Sequence, residues 1–478
     1  MSEQSTRSEL FRLNGSPHIS IAAPQAMQHV LAMLIGNITP PIIIANAIGL
    51  PEEEKILLTQ AAMIIAGLTT LLQLFPVFGF GMGLPNIMGV AFAYVPILLT
   101  IGRTWGIEAI FGAQILGGLA SILIGAVIGK IRHFFPPIVS GTVVLAIGLS
   151  LYGTAINYIG GGNAGADDFG LLIFWAIAVV TTLVTITINL KASGTLKISG
   201  MLIGIVVGYL IAIPTIGVDF GRIGVASWVA VPRIFNWGLS FEPGAIALMV
   251  LMYIVQAVQT IGDVSSTSMG AFGRQAKDSE LGGAIKGQGI MGMVGALIGG
   301  LPTDPYSQNV GLIVTTKVVA RRVFAIAAGV MLVAGFVPKF GAIMTTIPYP
   351  VLGGATITVF AAITMSGIQL IMEQPMTYRN RLIVGISLAG GMGLYIQPRS
   401  LQFFPQLARD ILGGSPIVLC FLIAFILNIV FKPSDADKEP LEEGVVYSEE
   451  AALSEEEAAA FIKAASLETK AASVSKTS

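Results

Sequence analysis

Ser307-Gln308-Asn309-Val310-Gly311, closed by Thr316-Lys317, is the stretch whose reading decides the fold. It lies among apolar segments, directly after Leu301-Pro302-Thr303-Asp304-Pro305. Side-chain amides at the start of a short helix inside a membrane are costly unless a ligand, water or other protein groups meet them. The apolar stretch here, near 307–319, is shorter than the about 20 residues a regular spanning helix needs. A second short, Gly-containing stretch lies near 86–100, where Pro85-Asn86-Ile87-Met88-Gly89 occupies the corresponding place in the order of segments. Paired interrupted segments in two halves point to the binding site of an inverted-repeat transporter.

Composition agrees with a membrane protein. The 478 residues are 54% hydrophobic and 11% charged, with a mean hydropathy of +0.81, whereas soluble domains carry about 25% charged residues. A formal net charge of −1 gives no sign of nucleic-acid binding. Cys420 stands alone, so no internal disulfide is expected. Full spans are expected near 27–48, 56–75, 107–128, 135–154, 170–190, 197–216, 243–262, 279–299, 321–337, 350–369, 379–396 and 412–431. With the two short stretches this makes an all-α polytopic protein of about fourteen segments in a 7+7 inverted repeat.

The expected divisions are a polar N-terminal segment over 1–26, a first repeat over 27–216, a second over 243–431, and an acidic tail over 432–478. The first 26 residues lack a signal-peptide apolar core. Lys130 and Arg132, Lys191 and Lys197, Arg274, Lys277 and Lys286, then Lys317, Arg321 and Arg322, fall in alternate loops. Glu52-Glu53-Glu54 and Asp167-Asp168 fall in the others. That positive-inside bias predicts both termini in the cytoplasm. In the tail, Ser454-x-x-Glu457 fits a helix capping box. The glycines of the ninth segment, among them Gly282, Gly289, Gly295 and Gly299, predict close helix packing.

Several polar residues stand at places where a ligand would meet them. Gln308 and Asn309 each offer one acceptor and two donors, able to meet a ligand that presents alternating donors and acceptors. An N-cap with helix–helix hydrogen bonding is the plainer alternative. Gln259 and Asp263 in the eighth segment are four apart and share a helical face. For Asp263, pairing with the Ser265–Ser268 run near a helix end is the structural alternative. His29 and Asn37 lie in the first segment, ahead of an expected break at Pro40-Pro41. Ala91 and Phe92 follow Gly89, and Phe92 could stack on a flat heteroaromatic ring. Gln288 and Thr316 complete the intramembrane polar set. Lys317, Arg321 and Arg322 read as snorkelling inner-face anchors, and Asp304 as a residue of a Pro-flanked turn.

The run from Gln308 through Thr316-Lys317 resembles the signature of the nucleobase–ascorbate transporter family: Gln or Glu, Asn, any residue, Gly, four variable residues, Thr, then Lys, Arg or Gly. Gln28-His29, Gly89–Tyr94 and Thr260-Ile261-Gly262-Asp263 extend the likeness over about 20–431. The resemblance implies core and gate domains, a homodimer, elevator-like transport, no cofactor, and a nucleobase substrate, xanthine or urate for a chain with Gln at 308. It implies Gln259, Gln308, Asn309, Phe92, Ala91 and His29 at the substrate, with Asp263, Gln288, Asn37 and Thr316 in coupling or structural roles. Relatives place Glu at 259, and many place Asp at 288; this chain has Gln at both. An amide accepts a hydrogen bond but takes up no proton, so the resemblance implies altered coupling, or coupling through His29 or Asp263.

An inorganic-anion transporter or channel of the same fold, for sulfate or bicarbonate, is the second reading, since half-helix N-termini favour anions of any shape. The amide pair argues against it, because small oxyanions call for charge. Neither a His/Cys metal spacing nor a nucleotide-binding glycine loop supports an enzyme.

Overall fold

The computed structural model describes residues 8–131, 134–193, 196–197 and 199–432. The expected tail over 432–478, apart from its first residue, lies outside the described residues, as do the Ser454–Glu457 box and Arg132. The chain divides into two compact units. One comprises Met1–Gln374 and Leu382–Lys432 and carries everything described below except the first turn of the helix Tyr378–Ile396. Of the other, the described part is Pro375–Arg381, where the Asn380 amide donates to the Pro375 carbonyl at 2.8 Å.

The first half contains α1 (Ile19–Ala47), α2 (Glu52–Leu74), strand β1 (Met88–Val90) leading into α3 (Val95–Trp105), α4 (Ile107–Ile131), α5 (Pro137–Ile159), α6 (Leu172–Lys191) and α7 (Gly200–Ile216). The second contains α8 (Pro243–Phe272), α9 (Asp278–Ile298), strand β2 (Thr303–Pro305) leading into α10 (Ser307–Thr316), α11 (Arg321–Gly335), α12 (Tyr349–Met372), α13 (Tyr378–Ile396) and α14 (Pro416–Val430). Among the described residues, eight helices are long and apolar enough to cross a membrane. Helix α11 and Pro338–Thr345, bent by 81° at a short break, bring the number to nine when taken together as one span. Both interrupted segments take one form, a three-residue strand followed by a half-helix, so Gly89 corresponds to Asp304 and Pro85–Gly89 precedes its half-helix rather than matching Ser307–Gly311.

Helix contacts sort the segments into two bodies. In one, α4 packs extensively on α8 and α9, and α2 on α11. In the other, α12 packs on α5 and α6, and α6 on α7. Replacing each element by the one seven places later turns the α2–α11 pair into α9–α4, the signature of the repeat. Segments one to four and eight to eleven form the core; the rest form the gate. Small residues permit the core packing. A Cβ on Gly289 would lie 2.5 Å from the Gly118 carbonyl, and one on Gly282 2.5 Å from that of Gly125, so α4 and α9 touch backbone to backbone.

Two sequence expectations change. First, α1 starts at Ile19 rather than near 27, and runs unbroken through Pro24, Pro40 and Pro41. Pro40 and Pro41 free the Gly36 and Asn37 carbonyls, and the segment is buried in protein, where neighbouring groups can compensate for them. Second, α8 continues to Phe272, where Gly273 in the left-handed conformation (φ 65°) stops it. The Ser265–Ser268 run is therefore inside the helix and does not cap Asp263.

Candidate functional site

Strands β1 and β2 pair antiparallel, with Met88 opposite Pro305, Gly89 opposite Asp304 and Val90 opposite Thr303. Ala91 N–H to the Pro302 carbonyl (3.1 Å) and Tyr306 N–H to the Ile87 carbonyl (3.0 Å) extend the ladder. The two half-helices consequently start side by side, one from each repeat. The ladder is held from outside by polar side chains, as backbone away from water requires. Asn37 accepts the Val90 N–H at 2.8 Å and donates to the Ala62 carbonyl at 3.2 Å. Thr70 accepts the Met88 N–H at 3.0 Å. The Tyr306 hydroxyl donates to the Val90 carbonyl at 2.9 Å. Its ring is sandwiched between Gly36 and Gly89, where an added Cβ on either would run into ring carbons.

A cavity of about 260 Å³ opens where the half-helices begin. Ala91, Phe92, Gln259, Ser307 and Gln308 form its core-side wall, and Val144, Ile147, Val359 and Ile363 its gate-side wall. The first turns of the two half-helices contribute backbone N–H groups that no helical carbonyl receives, and the positive ends of their dipoles. No hydrogen bond joins the Gln308 amide to another described residue, leaving its donors and acceptor for the cavity. Phe92 stands edge-on to Phe360 of α12, with ring centroids 5.3 Å apart. A wider space of about 810 Å³ shares Gln308, Val359 and Ala362 with the cavity and reaches Leu10, Gln28, Lys197 and Thr315. It is the vestibule leading to the site.

Four of the six residues expected at the substrate thus share one cavity: Ala91, Phe92, Gln259 and Gln308. Asn309 and His29 do not line it. They meet each other behind it, the Asn309 amide donating to His29 Nδ1 (3.1 Å) and to the His29 carbonyl (3.0 Å). Accepting at Nδ1 places the proton of a neutral imidazole on Nε2, and the ring packs against Phe324 at 4.5 Å. Asp263 accepts from Ser307 Oγ at 2.8 Å and interacts with Gln259, linking α8 to the start of α10. Thr316 donates to the Leu312 carbonyl at 2.7 Å and accepts the Val318 N–H at 3.3 Å, finishing α10. Lys317 ends that helix at φ 59°, its ammonium on the Gly270 carbonyl in the last turn of α8, where a cation is favoured.

Asp304 is the main correction. It is not a turn residue but lies within β2, 3% exposed, at the cavity wall. Its carboxyl meets the Gln256 amide on one oxygen, and Gln288 Nε2 (2.9 Å) and Thr260 Oγ1 (3.2 Å) on the other. Gln288 thereby belongs to the Asp304 cluster rather than to the cavity lining. Pro302 and Pro305 gave the misleading turn signal. The available clue was spacing, for an acid four residues before Gln308 in an apolar region is a functional candidate.

The chain matches, over residues 21–400, the family model described as "Permease family". The uric acid permease PucK of Bacillus subtilis is 34% identical over 416 residues, covering 86% of this chain and 96% of its own length. The nucleobase transporter PlUacP of Paenibacillus larvae is 32% identical over 407 residues, covering 84% and 93%. Among solved structures, the transmembrane domain of a cyanobacterial bicarbonate transporter, BicA, superposes with a TM-score of 0.60 at 15% identity, covering 89% of this chain and 98% of that one. The shared architecture is that of core-and-gate transporters, and the chain belongs to the nucleobase permease family that holds the xanthine and urate permeases.

Proposed function

We propose that this protein is a permease for an oxidised purine, xanthine or urate. The observation that carries the reading is the convergence of two carboxamides, Gln259 and Gln308, and one aromatic, Phe92, on a single cavity at paired half-helix starts. Amides read the alternating edge of the base, the ring meets its face or edge, and the helix starts accommodate the negative charge of an oxidised purine. At about 260 Å³ the cavity is just below the roughly 300–1,000 Å³ range of drug-sized sites, which suits a ligand as small as a bicyclic base.

Transport proceeds by elevator motion of the core against the gate. The core-side wall of the cavity is polar and the gate-side wall apolar, so the gate offers a surface past which a loaded core can slide. With both termini in the cytoplasm, the vestibule beside Leu10 opens inward. The protein works as a homodimer in the cell membrane.

The test is a binding panel on purified protein. Xanthine or urate should raise the melting temperature, while cytosine, ascorbate, sulfate and bicarbonate leave it unchanged; binding to the native state alone produces such a shift. Counterflow of labelled purine in proteoliposomes then reports transport. Stabilisation by sulfate or bicarbonate without purine binding overturns the reading.

A further inference from the structure

Proton counting around Asp304 leads to a role beyond lining the cavity. Its three polar neighbours, Gln256, Gln288 and Thr260, are all neutral. The Thr260 hydroxyl lies 3.2 Å from Asp304 Oδ1, and also 3.0 Å from the Gln256 backbone carbonyl and 3.0 Å from Gln288 Oε1. A threonine hydroxyl has one proton and cannot satisfy three acceptor oxygens. If Asp304 carries a proton on Oδ1, it donates to Thr260, and Thr260 passes its own proton to one of the other two oxygens. A proton on Asp304 therefore gives the Thr260 hydroxyl a donor as well as an acceptor, where a carboxylate leaves its single proton shared among three oxygens. Gln256 Oε1 is buried without a partner while its nitrogen meets Asp304.

The charges around it agree. The titratable groups that act on Asp304 are Asp263 on α8, Tyr94 ahead of α3 and Tyr306 ahead of α10. From α9 comes the neutral Gln288, and from α2 the neutral Thr69, which meets the adjacent Thr303 at 3.3 Å. A carboxylate there would be buried with no cation among these partners, at high cost.

We infer that Asp304 is a neutral acid in this state and is the proton-exchanging group of the transporter. It releases its proton to water in the cavity once the purine has left, and takes one up before the next purine binds. The acid becomes a carboxylate, the water a hydronium ion, and no other bond changes. An anionic purine at Gln259 and Gln308 would be repelled by the carboxylate form, which ties loading to protonation. The transport half of this inference rests on the purine reading above; the protonation half does not.

Two measurements separate them. Infrared difference spectra of wild type against Asp304→Asn should show, at neutral pH, the carbonyl stretch of a protonated carboxylic acid that the variant lacks. Carbon-13 aspartate labelling assigns the band to an aspartic acid, and its persistence in Asp263→Asn places it on Asp304, so an Asp304→Asn protein that fails to fold does not remove the test. In proteoliposomes, wild type should accumulate purine under an inward proton gradient, with an affinity that changes up to about tenfold per pH unit for one linked proton. Asp304→Asn should show accumulation collapsed to equilibrium and an affinity changing less than about twofold over the same pH range. A wild-type spectrum without the band, or a variant that still concentrates purine under the gradient, overturns the inference. A wild type that shows the band yet binds and exchanges no purine defeats the functional reading and leaves the protonated acid standing.

Discussion

Gln308 and Asn309 are neighbours in sequence with opposite surroundings, and truncating each in turn separates recognition from architecture. Gln308 faces the cavity with no hydrogen bond to another described residue. Gln308→Ala therefore leaves no buried protein group unpaired, and the melting temperature without ligand should stay within a degree or two. What it loses is up to two hydrogen bonds to the base, at about 0.5–1.5 kcal/mol each. The sum, about 1–3 kcal/mol, weakens purine binding by about 5–150-fold. Asn309→Ala instead removes the two hydrogen bonds to His29, at 3.1 and 3.0 Å, and leaves a buried imidazole nitrogen unmet. A similar loss, about 1–3 kcal/mol, then falls on stability, seen as a melting point several degrees lower, with affinity falling only as far as α10 shifts. Calorimetric titration with xanthine or urate in detergent, beside ligand-free thermal melts, reads both quantities. A Gln308→Ala protein whose affinity stays within twofold of wild type refutes the cavity assignment. An Asn309→Ala protein with unchanged melting and lost affinity refutes the buried, architectural role given to Asn309.

Phe92→Ala should weaken purine binding by about 2–10-fold, from loss of an aromatic contact worth about 0.5–1.5 kcal/mol; an unchanged dissociation constant argues against ring contact. Gly89→Val should destabilise by at least the about 1–3 kcal/mol of an overpacked core, because Tyr306 occupies the space a Cβ would enter; thermal melts read this, and wild-type stability would contradict the packing. The Arg321 guanidinium donates to Asn14 Oδ1 (3.0 Å) and to the Gly83 carbonyl (2.5 Å), and its backbone N–H to the Leu13 carbonyl (3.0 Å). Arg321→Ala should release the N-terminal segment, so that limited proteolysis ahead of Gly15 speeds up while later sites stay protected; equal cleavage rates would show that the side chain is not the pin.

The span pattern was readable because lipid leaves few options: apolar runs of the right length must be helices, and the two runs of the wrong length had to be something else. Their placement in matching positions also pointed to where a ligand sits. What the sequence concealed was the backbone between Val90 and Thr303. Antiparallel pairing of two three-residue strands from distant parts of the chain leaves no alternation long enough to recognise. Without that ladder Asp304 reads as a turn residue and Gln288 as an isolated amide. Gln308 and Asn309 form one motif in sequence, yet a helix turns by about 100° per residue, which sends adjacent side chains to different environments. The proline pair at 40–41 misled for a similar reason, since its effect depends on what surrounds the freed carbonyls rather than on proline itself.

The β1–β2 ladder also bears on descent. Each strand satisfies its backbone with the other, and each half-helix contributes one side of the cavity, so a solitary seven-segment half would hold unpaired peptide groups in hydrocarbon and only part of a binding pocket. An ancestral half-length protein could have been complete only as two oppositely inserted copies joined through these strands. Fusion into one polypeptide then freed the copies to diverge, and an acid at position 304 opposite a glycine at position 89 records that divergence on the two strands of a once symmetric seam.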